Sequence, residues 1–499
     1  MGAIAGREFL LGVDAGQTVT KALVVDRAGQ EIGGGAARVA LSTPRAHWIE
    51  RDMEEVWQAT ARAVRAALGE AGIRGEQVAA VGLVGHNDGL HLLDPEGRPI
   101  RPAITALDTR AQVIVDEWRR SGLAVALLRR TGQAPFGGTP SVLLRWILEH
   151  EPAALERTRW VVFCKDWLRL RLTGEVATDP TEASAGFTAA ATQEYDTEAL
   201  RLCGLADLRD RLPPLRACDA VAGEVTDDGA AATGLRTGTP VVTGAHDVDG
   251  GALGAGAVRP GRLGLVAGTF SINQIVSDDL HIDPRWQART FLRPGQRLNM
   301  STSASSASNL DWWRRLLGEA TYDDLETEVR RSLAADPDSR IVYHPFLYGA
   351  PFGREASAAL LGVRGWHTRG DLVRAVYEGV ALGHRVHVDA LRERFAVTAG
   401  VRLFGGAARS PVWSQLFADV LGLELEVPEC AETGARGAAL LAGLGIGWWA
   451  ELDDAAATAR VARRHVPDER EHTRLQAAYD RFVATARALD PEGWNDSMP

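Results

Sequence analysis

Hydrophobic and polar positions at the start of the chain predict a run of strands followed by a helix. Short apolar runs at residues 9–13 and 22–25 are separated by polar turns, and residues 31–40 could form a third strand. Residues 52–72 place apolar and small side chains on one helical face, with acids in the first turn, which predicts an amphipathic helix. "VAAVGLVG" (78–85) predicts a buried strand that ends at the polar tip "HNDG". This alternation is typical of an α/β layer architecture.

A similar pattern returns in the second half. Residues 261–278 predict another hairpin, and their part "GLVAGTFSINQIVSD" is similar to the opening "GVDAGQTVTKALVVD" in its Gly, Ala-Gly and final Asp positions. A hairpin repeated at the start of each half predicts two related α/β domains, residues 1–255 and 256–499. Turns that face each other would then line a cleft between the domains.

Two further segments extend this pattern. "GTPVVTGAHDVDGG" (238–251) reads as a strand that runs into polar residues, and residues 401–427 read as strand, glycine turn, helix and strand. Gly405 and Gly406 lie at that strand-to-helix junction, where a helix N-terminus favours phosphate. Small residues at helical spacing over 432–447 predict tight helix packing.

The first hairpin turn carries candidate chemistry. Its glycines allow backbone amides to approach a ligand, its hydroxyls can cradle phosphate oxygens, Lys21 adds positive charge and Asp14 could hold a cation. The alternative interpretation is an ordinary polar turn. The chain contains neither G-x-x-x-x-G-K-[ST] nor a G-x-G-x-x-G between strand and helix, so a bound nucleotide requires another architecture.

Length, composition and charge narrow the function classes. A chain of 499 residues exceeds what one core usually organises, which favours two domains of roughly 200 to 250 residues. The net charge is −10 and no Lys/Arg run stands out, so neither a nucleic acid nor an anionic membrane is an expected partner. The expected partner is a small molecule.

The cysteines and the N-terminus favour a cytoplasmic protein. Cys164, Cys203, Cys218 and Cys430 form neither C-x-x-C pairs nor Cys/His groups of zinc-site spacing, which predicts structural thiols in a reducing compartment. The first strand is expected within ten residues, which leaves no room for a signal peptide, and no apolar stretch is long enough to span a bilayer.

Together these segments resemble the FGGY carbohydrate kinases. The resemblance runs through "GVDAGQTVTKA", "GLVGHNDGLHLLDPEGRPIRPAITALDTRA", "CKDWLRLRLTGEVATDPTEAS", "GAHDVDGGALGAG", "GTFSIN" and "LFGGAARSPVWSQLFADVLG", and so covers nearly the whole chain. It implies two related actin-like ATPase (ribonuclease H-like) domains with a cleft between them, and ATP and Mg²⁺ as cofactors.

The resemblance also implies roles for matching residues. Asp247 would be the catalytic base, Asp14 would hold Mg²⁺ through water, and Asn87 and Asp88 would bind sugar hydroxyls. His86 would either orient the substrate or fill a turn. The residues that would bind the nucleotide are Gly16, Gln17, Thr18, Lys21, Gly268, Thr269, Gly405, Gly406 and Ala407.

Departures from the family pattern concern the substrate. Many members carry a Trp two residues before the Asp of the D-x-R segment, whereas this chain has Ala106, which implies a wider pocket or a different sugar contact. Asp108 and Arg110 of that segment are expected to form an ion pair. The tip "GHNDG" differs from that of D-xylulose and glycerol kinases. These features resemble the branch with L-xylulose, 3-dehydro-L-gulonate and erythritol kinases.

The leading hypothesis is ATP-dependent phosphorylation of a primary hydroxyl of a ketopentose, a ketosugar acid or a polyol. Asp247 would accept the hydroxyl proton, although Asp249 lies nearby and an Asp after a strand is often only a helix cap. The alternative is a catalytically silent nucleotide-binding regulator of the same fold. A third class, an NAD-dependent oxidoreductase, is not favoured, because the chain lacks the dinucleotide-binding fingerprint. A homodimer is one expected assembly.

Overall fold

A computed structural model describes residues 8–318, 320–351 and 356–489. The strands of the first half are β1 (Phe9–Ala15), β2 (Val19–Asp26), β3 (Glu31–Arg38), β4 (Glu50–Arg51), β5 (Val78–Gly85), β6 (His91–Leu93), β7 (Ala103–Ile104), β8 (Trp160–Val162), β9 (Val221–Glu224), β10 (Pro240–Val242) and β11 (Ala245–His246). Its helices are α1 (Met53–Ala71), α2 (Gln112–Arg120), α3 (Leu123–Thr131), α4 (Pro140–His150), α5 (Pro152–Arg157), α6 (Cys164–Thr173), α7 (Pro180–Ala183), α8 (Thr197–Leu202), α9 (Asp227–Thr233) and α10 (Asp247–Ala255).

The second half has a similar alternation of strands and helices. Its strands are β12 (Leu263–Ala267), β13 (Ser271–Ser277), β14 (Gln287–Thr290), β15 (Arg297–Ser303), β16 (Val342–His344), β17 (Ala359–Leu361), β18 (Val401–Phe404), β19 (Leu425–Pro428) and β20 (Val461–His465). Its helices are α11 (Ser308–Leu316), α12 (Tyr322–Ala335), α13 (Arg369–Arg392), α14 (Pro411–Leu421), α15 (Thr433–Gly445), α16 (Leu452–Ala457) and α17 (Glu469–Leu489).

Each half is built on a mixed seven-stranded sheet. The first has the order β3-β2-β1-β5-β10-β9, with β11 also paired to β5, and the second has the order β14-β15-β13-β12-β18-β19-β20. In both, an antiparallel hairpin leads into parallel strands and an antiparallel strand closes the edge. In each hairpin a short turn joins the two strands, at residues 16–18 in the first hairpin and at residues 268–270 in the second. The repeated hairpin predicted from the sequence is therefore confirmed.

Local patterns predicted the main elements but not their full lengths. The first hairpin extends beyond its apolar runs, to Ala15 and from Val19, because the sheet continues to pair through the polar residues. The predicted amphipathic helix is α1, which begins after the N-cap Asp52 and ends at Gly72 in the left-handed region. Its buried face packs on β2 and β3, which covers one side of the first sheet.

Helices α10 and α15 pack closely between the two sheets. A Cβ atom added at Gly437 would lie 1.8 Å from the carbonyl oxygen of Gly250, and one at Gly254 would lie 1.9 Å from that of Thr433. Gly12 and Gly82 meet the other side of α15 equally closely. Because glycine allows this approach, α15 from the second half contacts β1 and β5 of the first half. The tight packing predicted for residues 432–447 is confirmed.

The four cysteines form no disulfide bonds with one another. Cys164, Cys203 and Cys218 are buried, Cys430 is half-buried, and all four are free thiols.

In the part of the chain that the structure describes, none of the helices combines the length and apolar composition needed to cross a membrane.

Candidate active site

Three neighbouring parallel strands bring the first group of candidate residues to one edge of the first sheet. In register, Asp14 of β1 lies beside Val84 of β5, and His246 of β11 lies beside Gly85. The carboxyl ends of parallel strands are the usual place for ligand binding in α/β sheets. The hairpin turn, the polar tip at residues 86–88 and the first turn of α10 therefore converge at this edge.

Asp14, Lys21 and Asp247 line one small cavity between the halves. Asp14 and Lys21 are direct partners across the first hairpin, and Lys21 forms an ion pair with Glu432 at the start of α15. The cavity has a volume of about 190 Å³. Its lining residues include Asp14, Lys21, Asp247, Gly405, Glu432 and Gly434. Residues 14, 247 and 432 come from three separate parts of the chain.

The carboxylates in this cavity create excess negative charge. Burial, followed by the proximity of Asp247 and Glu432, raises the pKa of Asp14 to about 7, although Lys21 opposes the shift. The side chain of Asp247 keeps 28% of its surface exposed, so a ligand can reach it. A hard cation with oxygen ligands fits this donor set.

A second cavity, of about 460 Å³, adjoins the second hairpin turn. Gly268, Thr269 and Gly406, three of the predicted nucleotide-binding residues, line it. A Cβ atom added at Gly268 would meet no heavy atom within 4 Å, so the backbone there is open to a ligand. The remaining lining residues include Ser308, Asp311, Tyr322, Glu326, Tyr377, Arg409 and Trp413. These were not singled out in the sequence because they come from separate helices.

The other nucleotide candidates lie outside these two cavities. Gly16, Gln17 and Thr18 form the first hairpin turn, where the Gly16 amide donates to the carbonyl of Val19 at 3.2 Å. Ala407 is buried beneath the turn that begins at Gly405. Ala407 thus supports this turn from inside the second half.

Arg51, which sequence reasoning missed, links the first turn to the polar tip at residues 86–88. Its guanidinium is buried and donates to the carbonyl oxygens of Gly16 at 2.9 Å and Gln17 at 3.0 Å. It also contacts His86 Nε2 and lies 3.1 Å from Cys164 Sγ. The turn is therefore held by a charge from the short strand β4, which no local motif indicated.

His86 faces the protein interior at the end of β5. Its Nδ1 lies 3.2 Å from Gln17 Nε2, and its Nε2 contacts Arg51. Burial, and then Arg51, lower its pKa well below the usual range, so the ring is neutral. Ligand atoms of His86, His91 and Cys164 lie within 4.8 Å of one another, a group that the sequence spacing did not indicate. Because the Arg51 guanidinium contacts His86 and Cys164, it would repel a metal ion bound to this group.

Asn87 and Asp88 form the polar tip itself. Asn87 is buried, and its Nδ2 donates to the carbonyl of Glu182 at 3.2 Å. Asp88 has a φ of 59°, a strained conformation for a residue other than glycine. Its carboxylate accepts from Arg289 Nη2 at 2.9 and 3.1 Å, so an arginine of β14 in the second half holds it.

Buried ion pairs are a further feature of the first half, and the sequence predicted only the pair in the D-x-R segment. Lys165 Nζ lies 2.6 Å from Asp166 Oδ1 and 2.7 Å from Asp179 Oδ2. Asp179 also caps the N-terminus of α7. Arg110 and Asp108 pair at 2.7 Å, which confirms the ion pair expected for that segment. Lys165 packs against Gly85 at the end of β5, so its ion pairs lie close to the tip.

Solved structures with the same architecture identify the fold. The crystal structure of xylulose kinase from Rhodospirillum rubrum superposes with a TM-score of 0.86 at 30% identity, and covers 96% of this chain and 99% of that one. The chain is therefore a two-domain α/β protein of the actin-like ATPase class.

Sequence comparison identifies the family. Residues 9–254 match the FGGY family of carbohydrate kinases, N-terminal domain, and residues 265–446 match its C-terminal domain. The L-xylulose/3-keto-L-gulonate kinase of Escherichia coli (strain K12) is 35% identical over 97% of both chains. The erythritol kinase of Brucella abortus (strain 2308) is 29% identical over 90% of both. This chain belongs to the FGGY family and is a carbohydrate kinase, and its family uses ATP as phosphate donor.

Proposed function

We propose that this kinase transfers the γ-phosphoryl group of ATP to a primary hydroxyl of a ketopentose, a ketosugar acid or a polyol. The observation that supports this most directly is the cavity shared by Asp14, Lys21 and Asp247, with the larger cavity at Gly268 and Thr269 nearby. The names of similar proteins include L-xylulose, 3-keto-L-gulonate and erythritol kinases, which favours a substrate of this size.

Each group has a role in this proposal. Asp247 accepts the proton of the attacking hydroxyl as the oxygen–phosphorus bond forms and the bond to ADP breaks. Asn87 and Asp88 hold the sugar hydroxyls, while His86 aligns the first turn through Gln17. The turn at residues 16–18, Gly268 and Thr269 would face the phosphates, with the adenosine near Gly405, Gly406 and Ala407.

Asp14 is the residue we propose to hold Mg²⁺ through water. The pKa of its carboxyl is raised first by burial and then by the negative charge of Asp247, and a divalent cation would offset both effects. The metal would neutralise charge on the transferring phosphoryl group. Closure of the domains, 1–255 and 256–499, would exclude water, which competes as an acceptor.

The direct test is ADP release from Mg-ATP with a panel of L- and D-xylulose, 3-keto-L-gulonate, erythritol, glycerol and gluconate. Turnover with one of the first four compounds would support the proposal. ATP binding without turnover on any compound would favour the alternative of a silent nucleotide-binding regulator.

Lys21 offers an independent test of the nucleotide site. The chain has two lysines, and the side chain of Lys21 is 38% exposed, whereas that of Lys165 is fully buried. An amine-reactive reagent should therefore modify Lys21. Saturating Mg-ATP should protect Lys21, because its ammonium group would then donate hydrogen bonds to phosphate oxygens. Peptide mass spectrometry reads both sites at once, with Lys165 as the internal control. Equal modification of Lys21 with and without Mg-ATP would contradict its proposed role.

Arg289→Met tests the sugar site. We expect a KM for the sugar about tenfold to a hundredfold higher, since Asp88 loses a charged hydrogen bond, with little change in the KM for ATP. Arg293→Met is a matched control, because Arg293 also forms an ion pair, but with Asp453 of α16 rather than with Asp88. Steady-state kinetics with each substrate varied decides the outcome. An unchanged KM for the sugar in Arg289→Met would indicate that Asp88 does not bind the sugar.

A further inference from the structure

Three ionisable groups lie in a row at the beginning of α10. His246 Nε2 is 3.1 Å from Asp247 Oδ1, and His246 Nδ1 is 3.2 Å from Asp249 Oδ2. His246 is 5% exposed and Asp249 is fully buried, so only Asp247 reaches the cavity substantially. The imidazole ring thus separates an interior carboxylate from the proposed base.

Asp249 requires a positive partner at this position. Neither of its carboxylate oxygens has a hydrogen-bond partner among the described residues, and His246 Nδ1 lies within ion-pair distance of Oδ2. A buried carboxylate without a compensating charge is costly, and the His246 imidazolium is the cation within ion-pair distance. The backbone amide of His246 donates to Thr181 Oγ1 at 2.9 Å, which fixes the residue that carries the ring.

Proton affinities agree with this geometry. Burial alone would lower the pKa of His246, but Asp247 and Asp249 raise it to about 9. Burial raises the pKa of Asp249 to about 6 in spite of His246. Arg289 of β14 faces the ring from the second half. His86, just after β5, also faces the ring, and Asp179, the N-cap residue of α7, faces Asp249. At neutral pH the ring therefore carries a proton on each nitrogen.

We infer that His246, held by Asp249, is a positioning residue that orients Asp247 for proton abstraction, an inference that rests on the proposed kinase reaction. The ring holds Oδ1 of Asp247 and leaves Oδ2 for the substrate hydroxyl. The hydroxyl proton passes to Asp247, and His246 keeps both of its protons throughout. The imidazolium also offsets the negative charge that Asp14 and Glu432 contribute near Asp247.

His246→Gln and Asp249→Asn test this role. We expect each to lower kcat about tenfold to a hundredfold, less than the ~10²–10⁴-fold contribution of a base itself, with the KM for ATP within about twofold of wild type. Wild-type kcat should fall above about pH 9 as His246 loses its proton, and His246→Gln should lack this alkaline decline. His344→Gln replaces another buried histidine, in β16 of the second half, and should retain wild-type kcat.

A double-mutant cycle separates positioning from a structural effect. In an Asp247→Asn background, adding His246→Gln should cause no further loss of turnover, because the ring acts through Asp247. Additive losses, or wild-type kcat in His246→Gln, would overturn the inference while leaving the kinase reaction in place. Absence of sugar phosphorylation in the wild-type enzyme would overturn both.

Discussion

Asp247→Asn is expected to lower kcat by ~10²–10⁴-fold, because the amide cannot accept the proton of the substrate hydroxyl. The substitution preserves the shape of the side chain, and the cavity walls formed by Asp14 and Lys21 remain. Nucleotide affinity should therefore change little. Steady-state kinetics with the best sugar, and calorimetric titration with ATP, measure the two effects separately.

Asp228→Asn is the matched control for this variant. Asp228 also lies in the first turn of a helix, α9, but it is exposed. Its substitution should leave kcat unchanged. Substantial turnover in Asp247→Asn would contradict the assignment of Asp247 as base and would direct attention to another carboxylate.

Gly437→Ala is expected to destabilise the fold by more than about 3 kcal/mol, the upper end of typical overpacking effects. Its Cβ atom would lie 1.8 Å from the carbonyl oxygen of Gly250, so backbone must move rather than a flexible side chain. Helix α10 carries Asp247 on its first turn, and the shift should therefore also reduce activity. Chemical unfolding of the purified variant gives the change in stability.

Gly69→Ala is expected to have the opposite effect on the stability of the fold. Gly69 lies in α1, and a Cβ atom there would meet no heavy atom within 4 Å. Alanine should stabilise the protein by roughly 0.5–1 kcal/mol, since it restricts the unfolded chain without a clash. Equal stability of the Gly437→Ala and wild-type proteins would mean that α10 and α15 are less closely packed than the 1.8 Å distance between the Gly437 Cβ position and the Gly250 carbonyl oxygen implies.

Sequence patterns predicted those features that depend on nearby residues. Two hairpins, helix α1 and strand β5 follow from local periodicity, and Asp14 and Asp247 could be placed at strand ends because polar residues follow apolar runs there. The convergence of Asp14, Lys21 and Asp247 on one cavity followed from the family resemblance rather than from periodicity.

Contacts between distant segments could not be predicted in this way. Arg289 lies 201 residues from its partner Asp88, and Glu432 lies 411 residues from Lys21. No periodicity or spacing links such pairs, because the packing of α15 and the sheet topology bring them together. The environment of Arg51 was missed for the same reason. The His246–Asp249 pair is local, but its significance depends on the burial of Asp249.

We propose above all that the cleft phosphorylates a small sugar with ATP. The most direct measurement is mass spectrometry of the products after incubation of the enzyme with Mg-ATP and L-xylulose, 3-keto-L-gulonate or erythritol, with Asp247→Asn as the blank. We expect one sugar phosphate to form in equal amount to ADP, and neither product above background in the blank. ADP without a sugar phosphate from any of the three, or equal product from Asp247→Asn, would contradict the account.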